Sequence, residues 1–112
     1  MEETRLYDTS AVIELIVNRR VSVIPGLVSI YTILEYPPSL KKVKEVLYPK
    51  KEDYLLALKW QIMLRKIGKM LPAVDLIIAA MGYNNNYTIV TLDEHFNTIK
   101  EVQGDIKIEF KL

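Results

Sequence analysis

The sequence predicts an α/β fold in which helices cover a mostly parallel sheet. Short β-branched or aromatic runs alternate with segments whose apolar residues recur every three or four positions, as they do in parallel-sheet proteins. Of the 112 residues, 50% are apolar, which is enough to bury one core without disulfides. We therefore expect a single domain over residues 1–112.

The first part of the chain predicts a strand followed by a helix. Arg5 to Tyr7 is a short strand-like run. The following Asp8-Thr9-Ser10 carries the residue types that cap helix N-termini, so a helix is predicted from Ala11 to Asn18. Val21 to Ile24 is β-branched and is followed by a Pro-Gly pair. Asp8 therefore lies between a predicted strand and a predicted helix.

The middle of the chain predicts two short elements and one long helix. A second apolar run starts at Leu27, and its latter part, near Tyr31 to Tyr36, is predicted to be a short helix that the next two prolines end. Ser39 to Leu47 alternates lysine pairs with apolar residues, which indicates one or two helical turns and then a strand. Glu52 to Ile67 predicts a long helix. Its apolar positions are Leu56, Trp60, Met63, Leu64 and Ile67.

The last part of the chain predicts a helix, a strand, a helix and a final strand. Pro72 suits the first turn of a helix, which we place from Ala73 to Tyr83. Tyr87 to Thr91 is apolar at its centre, as a strand buried on both faces would be. Glu94 to Val102 is predicted to be helical, and Ile106 to Phe110 alternates like an edge strand. Ligands of such folds gather beyond the carboxyl ends of the strands.

Composition narrows the classes of function. Fifteen Lys and Arg against fourteen Asp and Glu leave a net charge of +1, so any nucleic-acid site must be local. The absence of cysteine excludes disulfides and thiolate metal sites, and the single histidine excludes a histidine-rich zinc site. No window approaches the roughly 18–20 apolar residues of a membrane span, so we expect a soluble cytoplasmic protein.

Four acidic residues are candidates for a shared site. Asp8 and Asp93 each follow a predicted strand, and Asp75 lies in the first turn of a predicted helix, so these three meet if their strands are neighbours. Glu35 lies in an apolar run and needs a partner. Clustered carboxylates repel each other, and Mg²⁺ or Mn²⁺ relieves that repulsion through oxygen ligands. Such ions can activate water for attack at phosphorus.

Each of these acids also has a purely structural explanation. Asp8 and Asp93 fit helix N-caps, and Asp75 favours a helix N-terminus through the helix dipole. Glu35 fits a residue at the rim of the fold. His95, the single histidine, is expected to be a polar or a substrate-facing residue near the rim and not a catalytic one. The joint occurrence of the four acids favours a metal site over four separate structural roles.

The motifs that carry these acids resemble the PIN domain family. They are Asp8-Thr9-Ser10 after a strand, Glu35 in the second helix, Asp75-Leu76-Ile77-Ile78-Ala79-Ala80 opening a helix, and Thr91-Leu92-Asp93-Glu94-His95-Phe96 after a strand. Within that family the chain looks most like the small stand-alone prokaryotic type represented by VapC toxins. The resemblance covers nearly the whole length and implies a three-layer α/β/α fold.

The resemblance also implies an activity and partners. It implies a Mg²⁺- or Mn²⁺-dependent endoribonuclease that acts on RNA as the toxin of a type II toxin–antitoxin pair. The enzyme would be a homodimer restrained by a VapB-like antitoxin. The implied catalytic, metal-binding acids are Asp8, Glu35, Asp75 and Asp93, and the residues implied to support them by hydrogen bonds are Thr9, Ser10 and Thr91.

The chain departs from the family pattern in two places. Many relatives carry an acid near the position of His95, and the segment between Glu35 and Glu52 is short. The first departure affects a second metal, and the second affects the helices that would grip substrate and antitoxin. They leave a second interpretation open, in which a PIN-like domain with weak or lost catalysis serves as an RNA- or protein-binding module.

Overall fold

The central sheet of this computed structural model, which describes residues 3–112, contains five parallel strands. They are β1 (Arg5–Tyr7), β2 (Leu27–Ser29), β3 (Val46–Leu47), β4 (Thr88–Val90) and β5 (Ile108–Glu109). Their order across the sheet is β3-β2-β1-β4-β5, with β1 at the centre. Because every pairing is parallel, all five strands end at the same edge of the sheet. The predicted parallel sheet is confirmed, including an edge position for the last strand.

The helices follow the predicted positions closely. They are α1 (Thr9–Ile13), α2 (Ile30–Glu35), α3 (Lys51–Lys66) and α4 (Ala73–Asn84). The first of them continues as a π-helical turn, Glu14–Asn18, and the segments Pro37–Lys42 and Glu94–Glu101 are 3₁₀ helices. None of the helices within residues 3–112 combines the length and hydrophobicity that a bilayer-spanning segment requires.

Helices cover the sheet on both faces. Successive strand residues point to opposite faces, so Leu6 packs with α4 while Tyr7 packs with α1. The same alternation holds on the neighbouring strand, where Ile89 packs with α4 and Val90 with α1. These pairs are in register, Leu6 opposite Ile89 and Tyr7 opposite Val90. The predicted three-layer arrangement is confirmed, and β1 and β4 are buried from both sides.

The β-branched run Val21–Ile24 forms no strand, and β2 begins only at Leu27. The turn between them passes directly against β1, because a Cβ added to Gly26 would lie 2.6 Å from the carbonyl oxygen of Arg5. Ile24 is buried, and its N–H donates to the carbonyl oxygen of Lys42 at 2.7 Å. The run therefore crosses to the segment before β3 instead of pairing within the sheet.

The predicted apolar face of α3 is only partly buried. Trp60 and Leu64 are fully enclosed and Leu56 is half-buried, but Met63 and Ile67 are 37% and 50% exposed. Apolar residues lie around most of the circumference of this helix, so spacing alone did not separate its core side from its open side. Packing against α4 selects the face that is buried.

Candidate metal centre

Two of the four acids leave neighbouring strands at the same edge of the sheet. Strand β1 pairs with β4 in parallel, and the backbone N–H of Asp8 donates to the carbonyl oxygen of Val90 at 3.0 Å. Asp8 and Thr91 therefore emerge side by side, and Asp93 follows two residues later. The adjacency on which the sequence argument depended is present.

The carboxyl group of Asp8 is buried and held by three hydrogen bonds. It caps α1 by accepting from the N–H of Ala11 at 3.0 Å, and it accepts from Ser10 Oγ at 2.8 Å and Thr91 Oγ1 at 2.5 Å. With only 4% of the residue exposed, burial raises the pKa of Asp8, and the three hydrogen bonds oppose that rise. The negative charge of Asp93 also raises the pKa of Asp8. The group is thus fixed in position close to a second acid.

Two hydroxyl groups join Asp8 to the loop that carries Asp93. Thr91 Oγ1 donates to Asp8 and accepts from the backbone N–H of Asp93 at 2.9 Å. Ser10 Oγ donates to Asp8 and accepts from the backbone N–H of Leu92 at 3.0 Å. Each hydroxyl therefore uses both its donor and an acceptor site in this link. The side chains of Ser10 and Thr91 therefore connect the loop after β4 to Asp8.

Glu35 ends α2 and is exposed, but it has the partner that the sequence argument required. Thr9 Oγ1 donates to Glu35 Oε1 at 2.6 Å and lies 3.0 Å from Thr32 Oγ1. Because the single hydroxyl proton of Thr9 goes to the carboxylate, Thr32 must donate to Thr9. Thr32 is fully buried, so a chain of two hydroxyls runs from the interior to Glu35. Thr32 is a supporting residue that the sequence argument missed.

Asp75 lies in the first turn of α4, and the other three acids affect its pKa. The pKa of Asp75 is raised to about 6, first by burial and then by the charges of Asp93, Asp8 and Glu35 in that order, while His95 lowers it. The charges of Asp93, Asp8 and Glu35 therefore all act on the carboxyl group of Asp75. Asp75 and Asp93 have ligand atoms in one compact cluster, and Asp8 and Glu35 act on Asp75 through their charges.

His95 joins two of these acids in a compact cluster. One ligand atom each from Asp75, Asp93 and His95 lie within 4.8 Å of one another. The backbone N–H of His95 donates to Asp93 Oδ1 at 2.9 Å, and its Nδ1 lies 3.2 Å from the same oxygen. His95 was predicted to lie at the rim but outside the ligand set. Its position two residues after Asp93 was the available signal.

The chemistry of this donor set suits a divalent cation. Carboxylate oxygens and an imidazole nitrogen are ordinary ligands of divalent metals in proteins. The cluster of Asp75, Asp93 and His95 has ligand atoms close enough to share one ion. A cation there would also offset the mutual repulsion that contributes to the raised pKa of Asp75. The residues present therefore fit a metal ion at this edge.

The crowded acids predict how stability without metal changes with pH. The folded pKa of Asp75 is about 6, above its ordinary 3.8, so the folded state binds more protons than the unfolded state between these values. The free energy of unfolding should therefore fall as pH rises through this range and level off above it. Asp75→Asn should weaken the fall and be more stable than wild type at pH 7.

The measurement is urea unfolding in EDTA at several pH values from 4 to 7. Glu52→Gln, which alters an exposed acid at the start of α3, is the matched control and should follow wild type. Asp75→Asn that is less stable than wild type at pH 7, with the same pH slope, would contradict the prediction.

Solved structures share this fold. A chain of the DNA-bound VapBC from Salmonella typhimurium matches with a TM-score of 0.75 and 17% identity over 96% of this chain and 98% of that one. A chain of VapBC-1 from nontypeable Haemophilus influenzae matches with a TM-score of 0.66 and 23% identity, over 95% of this chain and 96% of that one. A chain of a toxin-antitoxin complex from Klebsiella pneumoniae matches with a TM-score of 0.63 and 14% identity, over 95% of this chain and 96% of that one.

Sequence comparison alone finds no relative. No protein-family model matches this chain, and no curated protein matches it in sequence. The structural matches nevertheless cover nearly the whole of both chains at low identity, which is the signature of a shared fold with diverged residues. Together with the parallel sheet and its acidic edge, they show that this chain has a VapC-like PIN-domain fold.

Proposed function

We propose that the chain is a divalent-metal-dependent endoribonuclease, the toxin of a type II toxin–antitoxin pair. The observation that carries the proposal is the acidic edge of the sheet, where Asp8 and Asp93 follow paired strands and where the charges of Asp93, Asp8 and Glu35 raise the pKa of Asp75. The similarity to VapBC structures supports the assignment to a toxin. The reaction would be hydrolysis of RNA phosphodiester bonds by one 112-residue domain acting in the cytoplasm.

In this proposal the four acids hold Mg²⁺ or Mn²⁺, and the hydroxyl residues orient them. Bound metal supplies an activated water and neutralises charge that develops at phosphorus. Asp8 is fixed deep in the site by three donors, whereas Glu35 stands at the exposed side, where a substrate strand can approach. The ligands are Asp8, Glu35, Asp75 and Asp93, and the supporting residues are Thr9, Ser10 and Thr91.

The buried hydroxyl of Thr32 gives a prediction about the orientation of Glu35. Thr32→Val keeps the shape of the side chain but removes the donor to Thr9. The loss of an outer-shell partner typically costs ~10–100-fold in metal affinity or activity, and we expect a change of that order. Titration calorimetry with Mn²⁺ measures the affinity, and Thr32→Ser should restore it. Equal affinities in wild type and Thr32→Val would refute the role.

The proposed partners are an antitoxin and a second copy of the chain. Solved structures with this fold are of VapBC and of a toxin-antitoxin complex, which supports a VapB-like antitoxin. For the homodimer, Leu55, Leu58 and Ile62 are all at least half exposed at helical spacing on α3. An exposed apolar face of this kind is typical of protein interfaces. Light scattering should report a dimer that Leu58→Glu converts to a monomer.

The test of the catalytic function is cleavage of a structured RNA with Mn²⁺. Wild-type protein should cut the RNA, EDTA should stop cleavage, and Asp93→Asn, purified in the same way, should be inactive. Because the variant preparation carries the same contaminants, a difference between the two assigns the activity to this chain. Equal, EDTA-insensitive background in both would reject the nuclease and favour an RNA- or protein-binding module.

A further inference from the structure

The imidazole of His95 is the one nitrogen donor in the cluster that it forms with Asp75 and Asp93. Its imidazole shares a 4.8 Å cluster with one oxygen each of Asp75 and Asp93. The backbone holds the residue there, because the N–H of His95 donates to Asp93 Oδ1 at 2.9 Å and the 3₁₀ helix begins at the next residue after Asp93. The main chain of His95 is thus anchored beside the acids, and its ring lies in the cluster.

The charges around the cluster favour a ligand role over a simple ion pair. Nδ1 of His95 lies 3.2 Å from Asp93 Oδ1, so a protonated ring could pair with that acid. One imidazolium would still leave Asp75 facing the charges of Asp8, Asp93 and Glu35. A divalent cation adds two positive charges and uses a neutral imidazole as a donor, which offsets the repulsion more fully.

We propose that His95 is a metal ligand and that it makes the site prefer a first-row transition ion, such as Co²⁺ or Zn²⁺, over Mg²⁺. This inference deepens the proposed metal site and rests on it. Mg²⁺ is a hard ion that takes oxygen ligands in near-ideal octahedral geometry and keeps several waters. Imidazole nitrogen instead suits later transition ions, whose affinities for such sites also rise along the series. One nitrogen among the donors therefore shifts the balance of affinities.

The test uses metal binding without RNA. Titration calorimetry gives the ratio of Co²⁺ to Mg²⁺ affinity for wild type, His95→Gln and His95→Asp. Because even outer-shell changes alter metal affinity by ~10–100-fold, His95→Gln should lower the ratio at least about tenfold. His95→Asp should lower it further by improving Mg²⁺ binding, and Glu52→Gln should leave it unchanged. An unchanged ratio in both His95 variants would overturn the proposal.

A second readout reports the ring itself. The chain contains one histidine, so its imidazole ¹⁵N signals are unambiguous. Zn²⁺ should shift one of these signals at stoichiometric concentration, whereas Mg²⁺ should not, and Asp75→Asn should weaken the Zn²⁺ effect. A Zn²⁺ shift of the same size and affinity in Asp75→Asn would show that an isolated surface histidine binds the ion, which would overturn the shared site.

The two proposals fail in distinguishable ways. Co²⁺ selectivity that depends on His95, in a protein that does not cleave RNA with any metal, would support the metal ligand and reject the nuclease. Efficient cleavage with Mg²⁺ and a Co²⁺ to Mg²⁺ ratio insensitive to His95 would support the nuclease and reject the ligand role.

Discussion

Asp8→Asn is expected to reduce Mn²⁺-dependent RNA cleavage by more than about 100-fold. Loss of an outer-shell partner costs up to about 100-fold, and Asp8 is proposed to bind the metal directly, so its loss should cost more. Asparagine preserves the shape and can still accept from the N–H of Ala11, but it removes the negative charge. The fold should not suffer, since burial already disfavours the charged form of Asp8. The measurement pairs cleavage rates with thermal melts in the presence and absence of Mn²⁺.

The controls separate loss of the site from loss of structure. Glu14→Gln changes another acid of the same helical segment, one whose carboxylate accepts from Asn18 at 2.8 Å instead of joining the cluster, and it should cleave like wild type. Mn²⁺ should raise the melting temperature of wild type and of Glu14→Gln but much less that of Asp8→Asn, because only binding to the folded state stabilises it. Full activity in a well-folded Asp8→Asn would remove Asp8 from the site.

Trp60→Ala should produce the largest loss of stability of any single truncation on α3. The indole is fully buried, packs edge-on against Tyr83 with ring centroids 5.9 Å apart, and donates from Nε1 to Gln103 at 3.3 Å. Truncation of a buried tryptophan to alanine typically costs ~3–5 kcal/mol, because the cavity that remains is only partly refilled. Urea unfolding should show a loss of that size.

The matched control for this truncation is Leu40→Ala. Leu40 is also large and apolar but is well exposed, so its removal should change the free energy of unfolding by about 0.5 kcal/mol or less. A similar loss in both variants would mean that burial of Trp60 does not organise the interface of α3 with α4.

Most of the architecture could be predicted because its signals are local. The strand Arg5–Tyr7 and the helix that follows it were predicted from a short apolar run and a capping motif, and both are present. The acids Asp8 and Asp93 were expected to meet if their strands were neighbours, and the pairing of β1 with β4 brings them together. The local motifs therefore predicted that Asp8 and Asp93 follow strands, and the parallel pairing of β1 with β4 places both at one edge of the sheet.

What could not be predicted depends on contacts between distant segments. Nothing in the run around Thr32 indicates that its hydroxyl donates to Thr9, 23 residues earlier. The ring of His95 lies near Asp75 only because the first turn of α4 packs beside the loop after β4. The open side of α3 is likewise set by where α4 packs, since the helix is apolar on several sides. These contacts are determined by tertiary packing, and the spacing of residues along the chain does not predict them.

The central strand of the sheet receives its second neighbour late. Strand β1 is complete at Tyr7, yet the hydroxyl that grips Asp8 belongs to Thr91, 83 residues further along. During synthesis, Asp8 consequently emerges with no enclosure and stays in contact with water until Thr91 has been made. Loop closure over such a distance is slow relative to local helix formation. The order of the strands therefore delays assembly of the acidic edge until the segment that carries β4 is available.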